Sequence, residues 1–174
     1  MGKAVLMSIQ PKWCELIASC KKTVEVRKTK PKLDAHFKVY IYQTKKTWVY
    51  NIFSKIADWQ GKVIGEFVCD KIDEYTNYSL EQQYGHTLRR EKLLRSACMT
   101  LRDWYNYIGT DISDYGYVWH ISNLVIYDKP KGLSEFRGNP CNAVLDIHES
   151  CTNCGKCGLK RPPQSWMYVE ELSV

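Results

Sequence analysis

The sequence contains no run of about 18 apolar residues, so no helix of it is expected to cross a membrane. A secretory leader is not expected either. The first apolar stretch carries a single early Lys and is broken by Gln10, Pro11 and Lys12, too short for the core of a signal peptide. Met1-Gly2 resembles a myristoylation start, but Leu6 stands where that motif needs Ser or Thr. Internal repeats and low-complexity segments are missing, which removes solenoids and disordered linkers from consideration. Phe is scarce, at 4, whereas Tyr reaches 12 and Trp 6. Tyr and Trp combine a flat apolar surface with a polar handle, so they suit pockets and stacking platforms as well as cores. The expectation from these absences is a cytoplasmic protein whose 174 residues form a single domain, 1–174. Its eight Cys are then expected to be reduced or metal-bound rather than in disulfides.

The charge is unevenly spread. The chain carries +6 overall, yet residues 21–46 hold nine Lys or Arg against two acids, Glu25 and Asp34. That segment is +7 and the remainder of the chain is −1. Positive charge gathered in one stretch marks a surface for a polyanion. An edge strand kept soluble by lysines is the plainer explanation.

Within this stretch Lys21-Lys22-Thr23-Val24-Glu25-Val26-Arg27-Lys28 alternates as a strand does. Val24 and Val26 share one face; Thr23, Glu25 and Arg27 share the other. This predicts a half-buried strand whose polar face lines a cleft. Arg27 can fork onto a phosphate or carbonyl. Glu25 can accept from the amino or imino edge of a base. Lys22 can clamp an anion, or act as nucleophile or base. A structural Glu/Arg pair beside a solvated Lys is the alternative.

Elsewhere, strands are expected at 4–9, 37–43, 61–72, 116–127 and 165–170, and helices from Pro11, from Ser79 and over 93–101. Gly65 inside the fourth strand predicts a bulge or a close backbone approach. Trp48, Val49, Ile52, Phe53 and Ile56 have helical spacing. Five to six strands with flanking helices predict an α+β protein built on a closed, mixed β-barrel, since closure removes sheet edges. Further candidates stand on these strands. His120 and Ser122 alternate with Trp119 and Ile121, Glu66 follows Gly65 as a second carboxylate, and Trp166 can stack a base.

Residues 137–161 have little periodicity and many Gly and Cys. Cys151, Cys154 and Cys157 follow one another at CxxC steps, which lets thiolates converge on one tetrahedral ion. Cys141 or His148 supplies the fourth ligand. A zinc-stapled insertion loop is the expectation, because so long an aperiodic loop is otherwise costly to order. An iron–sulfur cluster or free thiols are the alternatives. Cys14, Cys20, Cys69 and Cys98 fall in expected elements and read as core residues.

Ser19-Cys20-Lys21-Lys22-Thr23-Val24-Glu25-Val26-Arg27 resembles the Gly-x-Lys-x-x-Glu-x-Arg signature of the ASCH domain, a branch of the PUA-like superfamily. Lys22, Glu25 and Arg27 match in place; Cys20 stands where Gly is usual. Leu6-Met7-Ser8-Ile9-Gln10-Pro11-Lys12, Trp119-His120-Ile121-Ser122-Asn123-Leu124 and Pro162-Pro163-Gln164-Ser165-Trp166 are similar to the same family. The resemblance implies a PUA-like mixed β-barrel with a cleft and a role in RNA metabolism. Lys22, Glu25, Arg27, Ser8, His120, Ser122 and Trp166 are its expected ligand contacts. One group of the family resembles an acetylcytidine amidohydrolase that uses a Lys and a Thr on this strand and a distant Glu; Lys22 matches the Lys and Glu25 occupies the Thr position. Another group cleaves single-stranded RNA. The reading is therefore an RNA- or nucleotide-binding protein. The alternatives are a hydrolase using Lys22 and Glu25 on the same cleft, or an interaction module for an acidic protein.

Overall fold

The computed structural model describes residues 2–45, 59–81, 87–138 and 158–172. Six strands and four helices follow in the order β1 (Lys3–Ile9), α1 (Pro11–Ala18), β2 (Val24–Arg27), β3 (Phe37–Gln43), β4 (Val63–Thr76), α2 (Asn77–Glu81), α3 (Thr87–Ser96), α4 (Leu101–Ile108), β5 (Tyr115–Lys131) and β6 (Trp166–Glu170). The helix expected around Trp48 to Ile56 lies outside the described residues.

The α+β class holds, but among the described residues the sheet is not closed into a barrel. The strands run β2-β5-β4-β3-β1-β6, leaving β2 and β6 at opposite ends of the order. Non-strand backbone meets the outer side of β6 and the residue that precedes β2. Beside β6, Gly138 bridges Val169, and the Glu170 N–H donates to Arg137 O at 3.0 Å. Beside β2, the Thr23 N–H donates to Ser96 O at 2.9 Å. Covering an edge answers the same unpaired-backbone problem that closure would. The strand expected over 116–127 does not stop there; β5 continues through Pro130 to Lys131.

The residues gather into two compact units. The first holds 1–15, 37–68 and 123–174. Here β1 pairs in parallel with β3 and antiparallel with β6. Paired on both sides, β1 is buried along six of its seven residues, which is why it reads as a continuous apolar run. Its core is Ala4, Leu6, Tyr40, Tyr42, Val63, Phe136, Leu159 and Val169. Gly65 is the close approach that the sequence predicts: a Cβ there would run into Val125 O and lie 3.1 Å from Ile126 Cα.

The second unit holds 16–36 and 69–122. Its core joins Val24 and Val26 of β2 to Val118 of β5 and to Leu80, Leu93, Ala97, Trp104 and Ile108 from the helices. Thr100 and Asp103 form a reciprocal capping box that starts α4.

Helix α1 ends in a Schellman turn. The Cys20 N–H donates to Ile17 O at 2.8 Å and the Lys21 N–H to Leu16 O at 2.9 Å, with Cys20 at φ 58°. This is the left-handed position where a side chain is disfavoured by about 1–2 kcal/mol. Glycine there would relieve that cost and give back about 0.4–1 kcal/mol through the freer unfolded chain. Cys20→Gly is therefore expected to raise stability by about 0.5–1 kcal/mol, read as a higher urea midpoint at unchanged slope. A lower midpoint would contradict the turn geometry.

Candidate ligand-binding site

The second unit turns the β2 stretch into a charged centre. The alternation holds: Val24 and Val26 enter the core described above, and Glu25 and Arg27 take the other face. The expected half-buried strand does not. Lys22 is 2% exposed, Glu25 6% and Arg27 7%. The register explains it. Glu25 pairs across with Trp119 and Arg27 with Tyr117, so large rings flank the carboxylate and the guanidinium.

Glu25 binds two cations. Its Oε1 lies 3.1 Å from Arg27 Nη2 and its Oε2 3.4 Å from Lys22 Nζ. Lys22 also donates to Ala97 O at 2.7 Å. The turn after α1 aims Lys22 at this carbonyl, because the Lys22 N–H itself is held by Leu16 O at 2.9 Å. Glu25 Oε2 is buried and takes no hydrogen bond from any described residue. The centre thus carries one more positive than negative charge.

Tyr107 completes it, a residue that sequence reasoning missed. From the last turn of α4, its hydroxyl accepts a hydrogen bond from Arg27. Burial pushes that hydroxyl above its ordinary pKa, Arg27 pulls it down and Glu25 pushes it up. The ring is 37% exposed, so Tyr107 connects the buried centre to solvent. The run of aromatics at 104–107 is visible in the sequence. Which ring turns to Arg27 is not, because that depends on how α4 docks.

The other candidates are elsewhere. His120 pairs across from Val24, so it and Ser122 share the face of the valines rather than that of Glu25 and Arg27. His120 Nε2 lies 2.9 Å from Asp73 Oδ2, and Lys71 Nζ 2.8 Å from Asp73 Oδ1. Burial alone would raise the Asp73 pKa; the bonds to Lys71 and His120 outweigh it and hold the carboxyl below its ordinary range.

Ser8 and Trp166 belong to the first unit. Ser8 Oγ donates to Pro163 O at 2.6 Å, and Trp166 pairs across from Met7. Glu66 is engaged by Tyr127, whose hydroxyl donates to Oε2 at 2.5 Å, and by Lys38 at 3.1 Å. Burial, then Glu66, pushes the Tyr127 hydroxyl well up. Lys38 also pairs with Glu171 at 3.2 Å.

Cys141, His148, Cys151, Cys154 and Cys157 lie outside the described residues. Among the described residues, no group of three or more His, Cys, Asp or Glu is placed to hold a metal ion. Cys14 and Cys69 are buried, as expected of core thiols, but Cys20 is exposed and Cys98 half-buried. Both of the latter sit at left-handed helix ends.

The sequence profile of the ASCH domain matches residues 7–126, more than half of the chain and the whole of the β2 centre. The chain belongs to the ASCH domain family. Its fold is similar to the crystal structure of an ASCH protein from Zymomonas mobilis, with a TM-score of 0.54 and 18% identity, covering 97% of this chain and 88% of that one. A Tyr-to-Phe variant of the Zymomonas mobilis protein matches with a TM-score of 0.53 and 18% identity, over 97% and 91% of the two chains. A Ser-to-Ala variant gives the same score and identity, over 97% and 89%. No curated protein matches by sequence. On this ASCH domain the family signature takes a physical meaning. Its Gly position is the left-handed Schellman residue, held here by Cys20. Its Lys reaches back to the α3–α4 turn, and its Glu and Arg form the ion pair. No helix among the described residues is long and apolar enough to cross a membrane.

Proposed function

We propose that this ASCH domain binds RNA, or a nucleotide, at the basic surface around β2, in keeping with the general link between ASCH domains and RNA. One observation supports this reading above the rest. The only carboxylate of β2 is buried and consumed by Lys22 and Arg27, while Lys21, Lys28, Lys30 and Lys32 around it remain exposed. Burying charge is costly, and a chain that neutralises its own carboxylate beside an exposed lysine row presents net positive charge to an anion. Arg27, itself buried on Glu25 and Tyr107, holds that carboxylate in place and leaves contact with an anion to the exposed lysines.

The test is fluorescence anisotropy with a labelled RNA oligomer at rising salt. Binding is expected to weaken steeply, with a log–log slope of about −0.7 for each phosphate contacted on a single strand. Absence of binding at low salt, with an acidic peptide bound instead, would replace the reading by a protein-interaction module. Shortening of the oligomer, or release of acetate from acetylcytidine, abolished by Lys22→Met, would move it to a hydrolase. The same proposal includes structural zinc in segment 137–161, held by Cys141, Cys151, Cys154 and Cys157 with His148 as the alternative ligand. It rests on ligand type and spacing, and metal analysis of the purified chain decides it.

A further inference from the structure

We infer that the face of the second unit carrying Tyr107, Tyr115 and Tyr117 is a stacking platform for single-stranded RNA, with Lys28 and Lys30 as its phosphate contacts. The inference rests on the RNA reading above and adds the form of the nucleic acid and the residues that hold it.

The register fixes where the platform lies. Tyr117 stands directly across from Arg27, so its ring shares a sheet face with the charged centre. Tyr115, two residues earlier on β5, continues that face past the end of the four-residue β2. Its ring is 47% exposed and meets the Tyr117 ring edge to face at 5.5 Å. The Tyr117 hydroxyl is tied to Glu74 and Tyr115, which fixes the ring. A fixed, exposed aromatic surface loses little freedom when a flat partner lands on it.

The lysines sit on these rings. Lys30 Nζ lies 4.9 Å from the Tyr117 centroid, and Lys28 Nζ 5.7 Å from that of Tyr107. Lys30 is also near Glu74, but at 3.8 Å between half-exposed groups that pair is weak. A surface ring–cation contact is worth less than a stacked base. A base can therefore take the place of an ammonium on a ring while the ammonium moves to the phosphate of the same nucleotide. The rings exchange one π partner for a better one, and each lysine exchanges a quadrupole for a full charge. An acidic protein would satisfy the lysines but leave the rings unused. A duplex would offer phosphates with its bases already stacked on one another. The combination of exposed ring and adjacent cation fits an unpaired strand.

The experiment uses the full chain with a fluorescein-labelled 12-nucleotide uridine oligomer, an RNA duplex of equal length and an acidic peptide. Tyr115→Ala is expected to weaken single-strand binding by about 5- to 150-fold and to leave duplex binding nearly unchanged. Tyr115→Phe keeps the ring and is expected to bind as the parent chain does. Lys28→Gln combined with Lys30→Gln is expected to flatten the single-strand salt slope by about 0.7 for each lysine removed. Tyr115 is half-exposed, so melting temperatures of the variants are expected to match the parent and to exclude misfolding as the cause. If the oligomer binds but Tyr115→Ala leaves its affinity unchanged, the platform is wrong and the RNA reading stands. Equal losses for strand and duplex also overturn the platform. If the parent chain binds the peptide and neither RNA, both fall.

Discussion

Replacing Glu25 by Ala is expected to destabilise the chain by about 3–5 kcal/mol, the largest effect of any single change in β2. The carboxylate is the shared counter-charge of Lys22 and Arg27, at 3.4 and 3.1 Å. All three side chains are more than nine-tenths buried. Without Glu25, two cations remain in a region from which water is largely excluded, one held by Ala97 O and the other by the Tyr107 hydroxyl. Neither partner carries charge to offset them. The cost comes from leaving the ions unpaired, not from losing a strong bond. The triple change Lys22→Met, Glu25→Leu, Arg27→Met is therefore expected to recover most of the stability, since apolar side chains of similar volume often replace buried ion groups with little loss. It removes one net positive charge and leaves the exposed lysines in place, so it is expected to weaken the proposed RNA affinity without abolishing it. Urea denaturation and anisotropy on the same two variants check this. A triple variant as unstable as Glu25→Ala would mean that the ion centre itself sustains the packing.

Asn77→Ala is expected to cost about 3–4 kcal/mol and to lower the melting temperature by roughly 6–16 °C. Asn77 has no exposed surface and uses both ends of its amide. Its Nδ2 donates to Gly109 O at 3.2 Å and to Asp111 O at 2.5 Å, and its Oδ1 accepts from Trp104 Nε1 at 2.8 Å. It thereby ties the start of α2 to the end of α4 and the turn beyond. Truncation orphans a fully buried indole N–H, the dominant loss. The two carbonyls belong to residues that retain some exposure, and water can reach them. In a double-mutant cycle with Trp104→Phe, which removes the orphaned donor, a coupling of about 1–2 kcal/mol is expected. No coupling would mean that the amide and the indole act independently. Because α4 also supplies Tyr107, Asn77→Ala is expected to weaken ligand binding indirectly.

Much of the architecture is legible in the residue pattern. The run of β-forming residues at 37–43 predicts a strand, and β3 occupies those residues; Pro11 predicts a helix start, and α1 begins there. Local propensity and a proline at a first helical turn depend on neighbours close in sequence. Gly65 is legible for the same reason, since a glycine among strand formers usually admits something that a side chain would block. The closed barrel is a misreading because closure depends on what covers each edge. Segment 137–138 covers the edge of β6 here, and no local pattern announces it.

The candidate site divides along the same line. Lys22, Glu25 and Arg27 are legible as a group because two lie on one strand face and the third stands at its entrance. Their burial is not legible, because Trp119 and Tyr117 reach them through a register 90 or more residues away in sequence. The same register places His120 and Ser122 on the opposite face. A strand's alternation says which residues share a face with one another, but not which face a distant strand will present to them. Tyr107 is invisible for the matching reason on a helix.

By itself, then, the sequence determined the family of this chain, its α+β class, the concentration of positive charge in residues 21–46 and the pairing of Glu25 with Arg27. Each is a matter of composition or of spacing within a few residues. The tertiary structure alone decided that the ion centre is buried, that Tyr107 joins it, that the sheet of the described residues stays open and that Tyr115 lies half-exposed beyond the end of β2. These follow from strand register and helix docking, which are set by contacts between residues far apart in the chain.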